Sequence, residues 1–152
     1  MTNSFDAGTL TNSSTTTPSS TTPSGATDDT ALDLAYAIAA AADERKGGDI
    51  TILRVGEVSY LADYFVIVTG FSAVQVRAIS RTIEEEIEES WNRRPLRTEG
   101  QIDGSWIVQD FGEVIAHIFL PREREFYNLE AFWGHAERIS YVPPEVAAKA
   151  QS

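Results

Sequence analysis

Few residue types in this chain could carry out bond chemistry. It has 152 residues with two histidines, no cysteine, and 23 carboxylates against 12 lysines and arginines. Without a thiol there is no cysteine nucleophile, no thiolate zinc site and no disulfide framework, and two histidines supply a metal site thinly. Two-metal phosphoryl transfer needs carboxylates clustered around divalent ions. Asp103 and Asp110 are the available pair, and a loop and most of a strand separate them. The chain does place a large aromatic, an imidazole and acidic groups in one short stretch, Trp106-Ile-Val-Gln-Asp110-Phe-Gly-Glu113-Val-Ile-Ala-His117. Partner-binding surfaces often have this mixture, an aromatic anchor within a polar rim.

Trp106 to Phe111 and Val114 to Leu120 read as two arms of a hairpin around Phe111-Gly112. With that two-residue turn, Asp110 pairs with Glu113, Val108 with Ile115, and Trp106 with His117. Alternation then sets Trp106, Val108, Asp110, Glu113, Ile115, His117 and Phe119 on one face. Ile107, Gln109, Val114, Ala116, Ile118 and Leu120 take the other, which is the better candidate for a helix-covered core. The first face is the candidate contact surface. A bulge at Gly112 would shift the register and redistribute both sets. Each residue also has a plain structural reading: Trp106 as core, His117 as a satisfied sheet histidine. Downstream, Tyr127, Glu130 and Trp133 read mostly as helix packing, with Glu130 as an exposed contact. The acidic run Glu84–Glu89 reads as a solvated helix face.

The elements that must position this hairpin follow from periodicity. A helix is expected from about Asp28-Asp29-Thr30, which offers a cap and negative charge at the dipole's positive end. Leu34, Ile38 and Ala41 recur in it at helical spacing, and Gly47-Gly48 stops it. Ile50–Val55 reads as a strand, and Gly56-Glu57 as a turn. Tyr64–Val68 is an unbroken apolar run, as a central strand covered on both faces would be. Ser72-Ala-Val-Gln75 has the form of a capping box. The helix it opens carries Val76, Ile79, Ile83 and Ile87 on one stripe, and Pro95 forbids its continuation. Leu96–Glu99 suits a short strand. After the hairpin, Pro121 fits the first position of a last helix with Phe126, Leu129 and Phe132/Trp133 spaced for burial. The fold class is therefore α/β: a single mixed sheet of about five strands with helices packed on it, in the order α-β-β-α-β-β-β-α.

Composition bounds the rest. The net charge of -11 disfavours capture of bare nucleic acid, because phosphate binding needs concentrated Lys and Arg. An acidic protein can instead meet a basic protein surface, although the charge also simply favours solubility. No apolar run approaches the roughly 20 residues of a membrane span, and lack of cysteine suits a reducing compartment. Residues 1–27 are Ser/Thr-rich and nearly free of large apolar side chains, so a disordered tail is expected there. It lacks the basic start and apolar stretch of a secretory signal and the arginines of a transit peptide. The folded domain is expected over residues 28–142, with a second short tail over 143–152.

Three stretches go beyond a generic α/β pattern: Ala62-Asp-Tyr-Phe-Val-Ile-Val-Thr-Gly70, Trp106 through Phe119, and Arg124-Glu-Phe-Tyr-Asn-Leu-Glu-Ala-Phe-Trp133. In this order and spacing they closely resemble the ribosomal silencing factor (Iojap-like) family, and Asp49-Ile-Thr and Glu99-Gly100 fit as well. The resemblance covers roughly residues 29 to 133. It implies a nucleotidyltransferase-like sheet without enzymatic activity or cofactor. It also implies a cytoplasmic translational repressor that binds the large ribosomal subunit at its fourteenth protein and blocks joining of the small subunit. Homodimerisation is implied too, with the apolar Phe71, Val74, Phe132 and Trp133 as supporting features. The partner-contact residues become Trp106, Asp110, Glu113, His117 and Glu130.

The chain departs from the family at Phe71, where many members have Thr, and at Val74, where a basic residue is common. Any contact made by that turn is more apolar here. Two alternatives remain. One is a nucleotidyltransferase-like enzyme, with Gly70-Phe71-Ser72 where a phosphate loop would sit but no Asp-x-Asp pair after it. The other is a dimeric interaction module with a different partner.

Overall fold

The run Tyr64–Thr69 becomes the strand around which everything else is arranged, with all six residues buried. In the computed structural model, which describes residues 24–143, the elements run α1 (Ser24–Glu44), β1 (Gly48–Arg54), β2 (Tyr64–Thr69) and α2 (Ala73–Trp91). Next come β3 (Arg97–Glu99), β4 (Trp106–Asp110), β5 (Val114–Phe119), α3 (Pro121–Tyr127), α4 (Leu129–Phe132) and β6 (Glu137–Ser140). The chain divides into two units, 1–32 and 33–152; the described part of the first is the opening of α1. That helix begins at Ser24, ahead of the expected Asp28 start. Apart from residues 24–27 and Pro143, the expected tails lie outside the described residues.

One mixed sheet is formed, in the order β3-β4-β5-β2-β1-β6, with β2 and β5 its single parallel pair among the described residues. The strand count is six rather than about five. The extra strand, β6, pairs with β1 through Ile52↔Ile139 and Arg54↔Glu137. Glu137-Arg-Ile-Ser140 has one apolar residue, so nothing in its pattern announces a strand. Main-chain pairing and an Arg54–Glu137 ion pair at 3.2 Å hold this charged, short edge, and such edges resist further strand addition.

The long helices share one face of the sheet. Gln109 in β4 donates from Nε2 to the Ser80 carbonyl of α2 at 2.9 Å, which fixes Ile107, Gln109, Ala116 and Ile118 on the α2 side. Val76, Ile79, Ile83 and Ile87 are buried on α2, as their spacing predicts. From Asp33 onward, α1 buries Leu34, Ile38, Ala41 and Ala42. The α1 end is tied to the α2 start by Gln75, whose Nε2 donates to the carbonyls of Arg45 and Lys46. Ser72 caps α2 by accepting from the Gln75 N–H, so the capping serine is confirmed. The left-handed residue after α1 is Lys46 (φ 64), not Gly47. Gly47 is needed for closeness instead: a Cβ there would lie 2.6 Å from Val68 Cγ1.

The expected last helix is two short ones. Asn128 adopts φ 44, ends α3, and accepts the Ala131 N–H to start α4. Neither helix has a buried residue, and Phe126 and Phe132 are exposed rather than packed. The left-handed residue rotates one turn against the next, so of the counted stripe only Leu129 and Trp133 pack on the sheet. Pro121 does lie at the start of α3, as expected.

Candidate functional site

The hairpin turns one residue later than the sequence suggests. Phe111 N–H donates to the Val114 carbonyl, so Gly112 and Glu113 are the central residues. Gly112 has φ +99 and Glu113 is not among the positive-φ residues, the signature of a II′ hairpin turn. Centring the turn on Phe111-Gly112 would favour left-handed φ at phenylalanine, which is sterically costly; Phe111 is fully buried instead. The pairs therefore become Asp110↔Ile115, Val108↔His117 and Trp106↔Phe119, replacing Asp110↔Glu113, Val108↔Ile115 and Trp106↔His117. Because the partners slip by two residues and not one, every side chain keeps its expected face. Trp106, Val108, Asp110, Ile115, His117 and Phe119 lie together, opposite α2.

This second face carries its own cluster: Leu53, Val55, Ala62, Phe65, Ile67 and Phe119, with Trp106, Ile115, Leu129, Trp133 and Ala136 packed against it. The segment after β5 covers part of it. Tyr127 lies 4.6 Å from the Trp106 ring and Trp133 5.7 Å from Phe65, edge-on. Arg124 pins the segment down, donating to Thr69 Oγ1 at 2.8 Å, Thr51 Oγ1 at 3.3 Å and Glu130 Oε2 at 2.6 Å. Beyond this cover is a hollow of about 170 Å³. Leu61, Phe65, Val108, Ile115 and His117 line it, with Arg97, Glu99 and Asp110 around it.

Trp106 is half-buried, stacked on Phe119 at 4.8 Å, and its Nε1–H donates to His117 Nδ1 at 3.2 Å. Gly100 (φ +93) stands against its backbone, where a Cβ would collide with the Trp106 carbonyl oxygen. His117 is buried, and burial pushes its pKa down to about 4, so the ring is neutral near pH 7. With Nδ1 accepting, the proton belongs on Nε2. That nitrogen is buried without a hydrogen-bond partner.

The acidic candidates are more occupied than expected. Asp110 accepts the Gly112 N–H at Oδ1 (2.8 Å) and lies 3.5 Å from Arg97 at Oδ2. Glu113 sits in the turn and takes both ends of the Arg93 guanidinium at 2.7 Å. That hydrogen bonding holds its carboxyl below the ordinary range, with burial opposing. Glu130 is not an exposed contact. It forms a shielded ion pair with Arg124, 14% and 11% exposed in their side chains, and lies on α4.

The structure thus joins Trp106 and His117, places Asp110 on their face, and assigns Glu113 and Glu130 to holding loops in place. The sequence reading missed Phe65, Leu61, Arg93 and Arg124. The unbroken β2 run hides which of its residues face which way. Arg93 and Arg124 are distant in sequence from much of what they hold.

A second cleft of about 440 Å³ lies at the carboxyl end of β2, lined by Asp49, Thr69, Phe71, Arg124 and Arg138 among others. At the adjoining Gly70-Phe71-Ser72, the Ser72 hydroxyl caps α2 and the Phe71 N–H donates to Gln75 Oε1 at 2.7 Å. A phosphate would find that N–H taken. Among the described residues no group of three or more His, Asp or Glu side chains could hold a metal ion, and no helix is long and apolar enough to cross a membrane.

The family model described as ribosomal silencing factor during starvation matches residues 28–152. The chain belongs to that family. It is 40% identical over 98 residues to the ribosomal silencing factor of Bacillus subtilis, covering 64% of this chain and 82% of that one. It is 39% identical over 112 residues to the chloroplastic Iojap protein of Zea mays, covering 74% of this chain but 48% of the maize protein. The match thus spans about half the length of that plant relative. A crystal structure of a Chromobacterium violaceum protein superposes with a TM-score of 0.66 at 29% identity, covering 80% of this chain and 98% of the other. Family membership accounts for the three stretches, Ala62–Gly70, Trp106–Phe119 and Arg124–Trp133, that exceeded a generic α/β pattern. All three converge on the face opposite the long helices, where Phe65, Trp106, His117 and Tyr127 meet.

Proposed function

We propose that this chain is a cytoplasmic translational repressor. In this reading it binds the large ribosomal subunit at its fourteenth protein, through the Trp106 face, and blocks joining of the small subunit. The observation that carries this is the aromatic face itself: a sheet surface that the long helices leave uncovered, built from all three family stretches. A half-buried tryptophan stacked within such a surface has the character of an interface anchor. The net charge of -11 suits a basic ribosomal surface and favours rapid encounter.

The non-enzymatic reading is supported by the occupied Phe71 N–H, by the Ser72 hydroxyl accepting from Gln75, and by the commitments of Asp103 and Asp110. Asp103 accepts from the Ser105 hydroxyl, and Asp110 closes the hairpin turn. The free protein is a homodimer in this proposal, since Phe71, Val74 and Phe132 are exposed. Trp133, counted with them in the sequence, packs on Phe65 instead.

Sedimentation with separated subunits tests the proposal. The chain, and equally a chain beginning at Ser24, should travel with free large subunits and be absent from joined ribosomes. Equal binding to small subunits, or none to large ones, refutes it. Trp106→Ala should weaken binding by about 2 kcal/mol or more, with circular dichroism and a melting curve confirming that the variant is folded.

A further inference from the structure

We propose that His117 is the specificity-determining residue of the ribosome-facing surface, donating its Nε2–H to a carbonyl oxygen of a large-subunit protein segment whose aliphatic side chain fills the adjoining hollow. This rests on the functional reading above and adds the partner's chemistry to it. The Trp106 indole N–H occupies Nδ1, which leaves the neutral ring one possible donor, Nε2–H. That nitrogen is buried and unpartnered, and His117 lines the hollow, so the hollow's lining must give way for a partner's acceptor to reach it. A buried donor without an acceptor is costly, so a partner that brings an acceptor gains by relieving the penalty, and one that does not leaves it in place. Discrimination is strongest where a site's buried polar group would otherwise stay unpaired.

The rest of the hollow narrows the partner. Leu61, Phe65, Val108 and Ile115 form its apolar lining, and its volume of about 170 Å³ has room for an aliphatic side chain. Glu99 and Asp110 at the rim share the single cation Arg97, at 3.7 and 3.5 Å, leaving the rim acidic. An acidic rim repels the phosphates of RNA and suits a protein segment with basic residues flanking the inserted one.

The test compares His117→Phe, which keeps a ring but has no donor, with His117→Gln, which keeps an N–H near the Nε2 position. Affinity of the full chain is measured for purified large subunits and for their isolated fourteenth protein. His117→Phe should weaken both at least tenfold and His117→Gln no more than about threefold, with both variants folded. In the free protein, ¹⁵N spectra of the histidine ring near pH 7 should show the proton on Nε2. Wild-type affinity in His117→Phe, equal losses in both variants, a proton on Nδ1, or competition by protein-free ribosomal RNA would each overturn the proposal. If Trp106→Ala loses binding while His117→Phe does not, only the role of His117 fails. If the wild type does not bind large subunits, the functional reading fails with it.

Discussion

At the scale of single residues, the site depends on a histidine kept neutral by its surroundings. Burial lowers the His117 pKa from 6.5 to about 4, so the unfolded chain takes up the proton first as pH falls. The contribution is fully present above pH 6.5, is lost progressively between 6.5 and 4, and is constant below. It should reach about 3 kcal/mol across that interval. Chemical denaturation at stepped pH should show the slope, and His117→Gln should flatten it; an unchanged slope would show that other groups produce it. Glu113 acts in a lower window. Its pKa is depressed by Arg93, so its contribution is present above 4.5 and declines as pH falls below that value. The two residues were both candidates for contact, yet one is buried in the lining of a hollow and the other is held by a guanidinium.

At the scale of elements, two devices set where the aromatic face points. The first is the II′ turn. Gly112 at φ +99 is what permits Phe111 to be buried and Trp106 to stand beside Phe119. Gly112→Ala should cost about 1–2 kcal/mol, the penalty of left-handed backbone for an L-residue, measured as a shift in the denaturation midpoint. No shift would mean that the turn relaxes to another type. The second device is Arg124, which ties the α3–α4 segment to β1 and β2 through Thr51 and Thr69. Since neither short helix buries a residue, this guanidinium is a main anchor of the segment. Arg124→Ala strands the shielded Glu130 carboxylate and should destabilise the segment by about 1–3 kcal/mol. Hydrogen exchange should quicken over residues 128–136 and stay slow in β2. Unchanged exchange in the segment would show that Leu129 and Trp133 suffice to hold it.

At the scale of the whole molecule, the sheet separates two jobs. One face takes α2 and, from Asp33 onward, α1; the other is aromatic and only partly covered. Phe71 and Val74, at the start of α2, and Phe132 on α4 add exposed apolar surface beyond the Trp106 face, and a second copy of the chain would remove it from water. Light scattering at micromolar concentration should therefore report a dimer, and Val74→Glu should shift it toward monomer. A wild type that stays monomeric removes the dimer from the proposal and leaves the ribosomal contact standing.

The sequence by itself determined the helix stripe of α2, the central position of β2 and the division of hairpin residues between faces. Those properties follow from local periodicity, and a two-residue register error cannot disturb a period of two. Three family stretches and two shorter fragments, in order, also pointed to the family. Tertiary structure alone decided the turn centre, the break at Asn128, the sixth strand and the fate of the carboxylates. The sixth strand and the fate of the carboxylates depend on partners far away in sequence: Arg93 for Glu113, Arg54 for Glu137 and the β1 main chain for β6. Arg124 reaches back to Thr51 and Thr69 in the same way. A carboxylate reads as a free charge until the fold brings its guanidinium, and a histidine's spare nitrogen can be identified only once a tryptophan occupies the other.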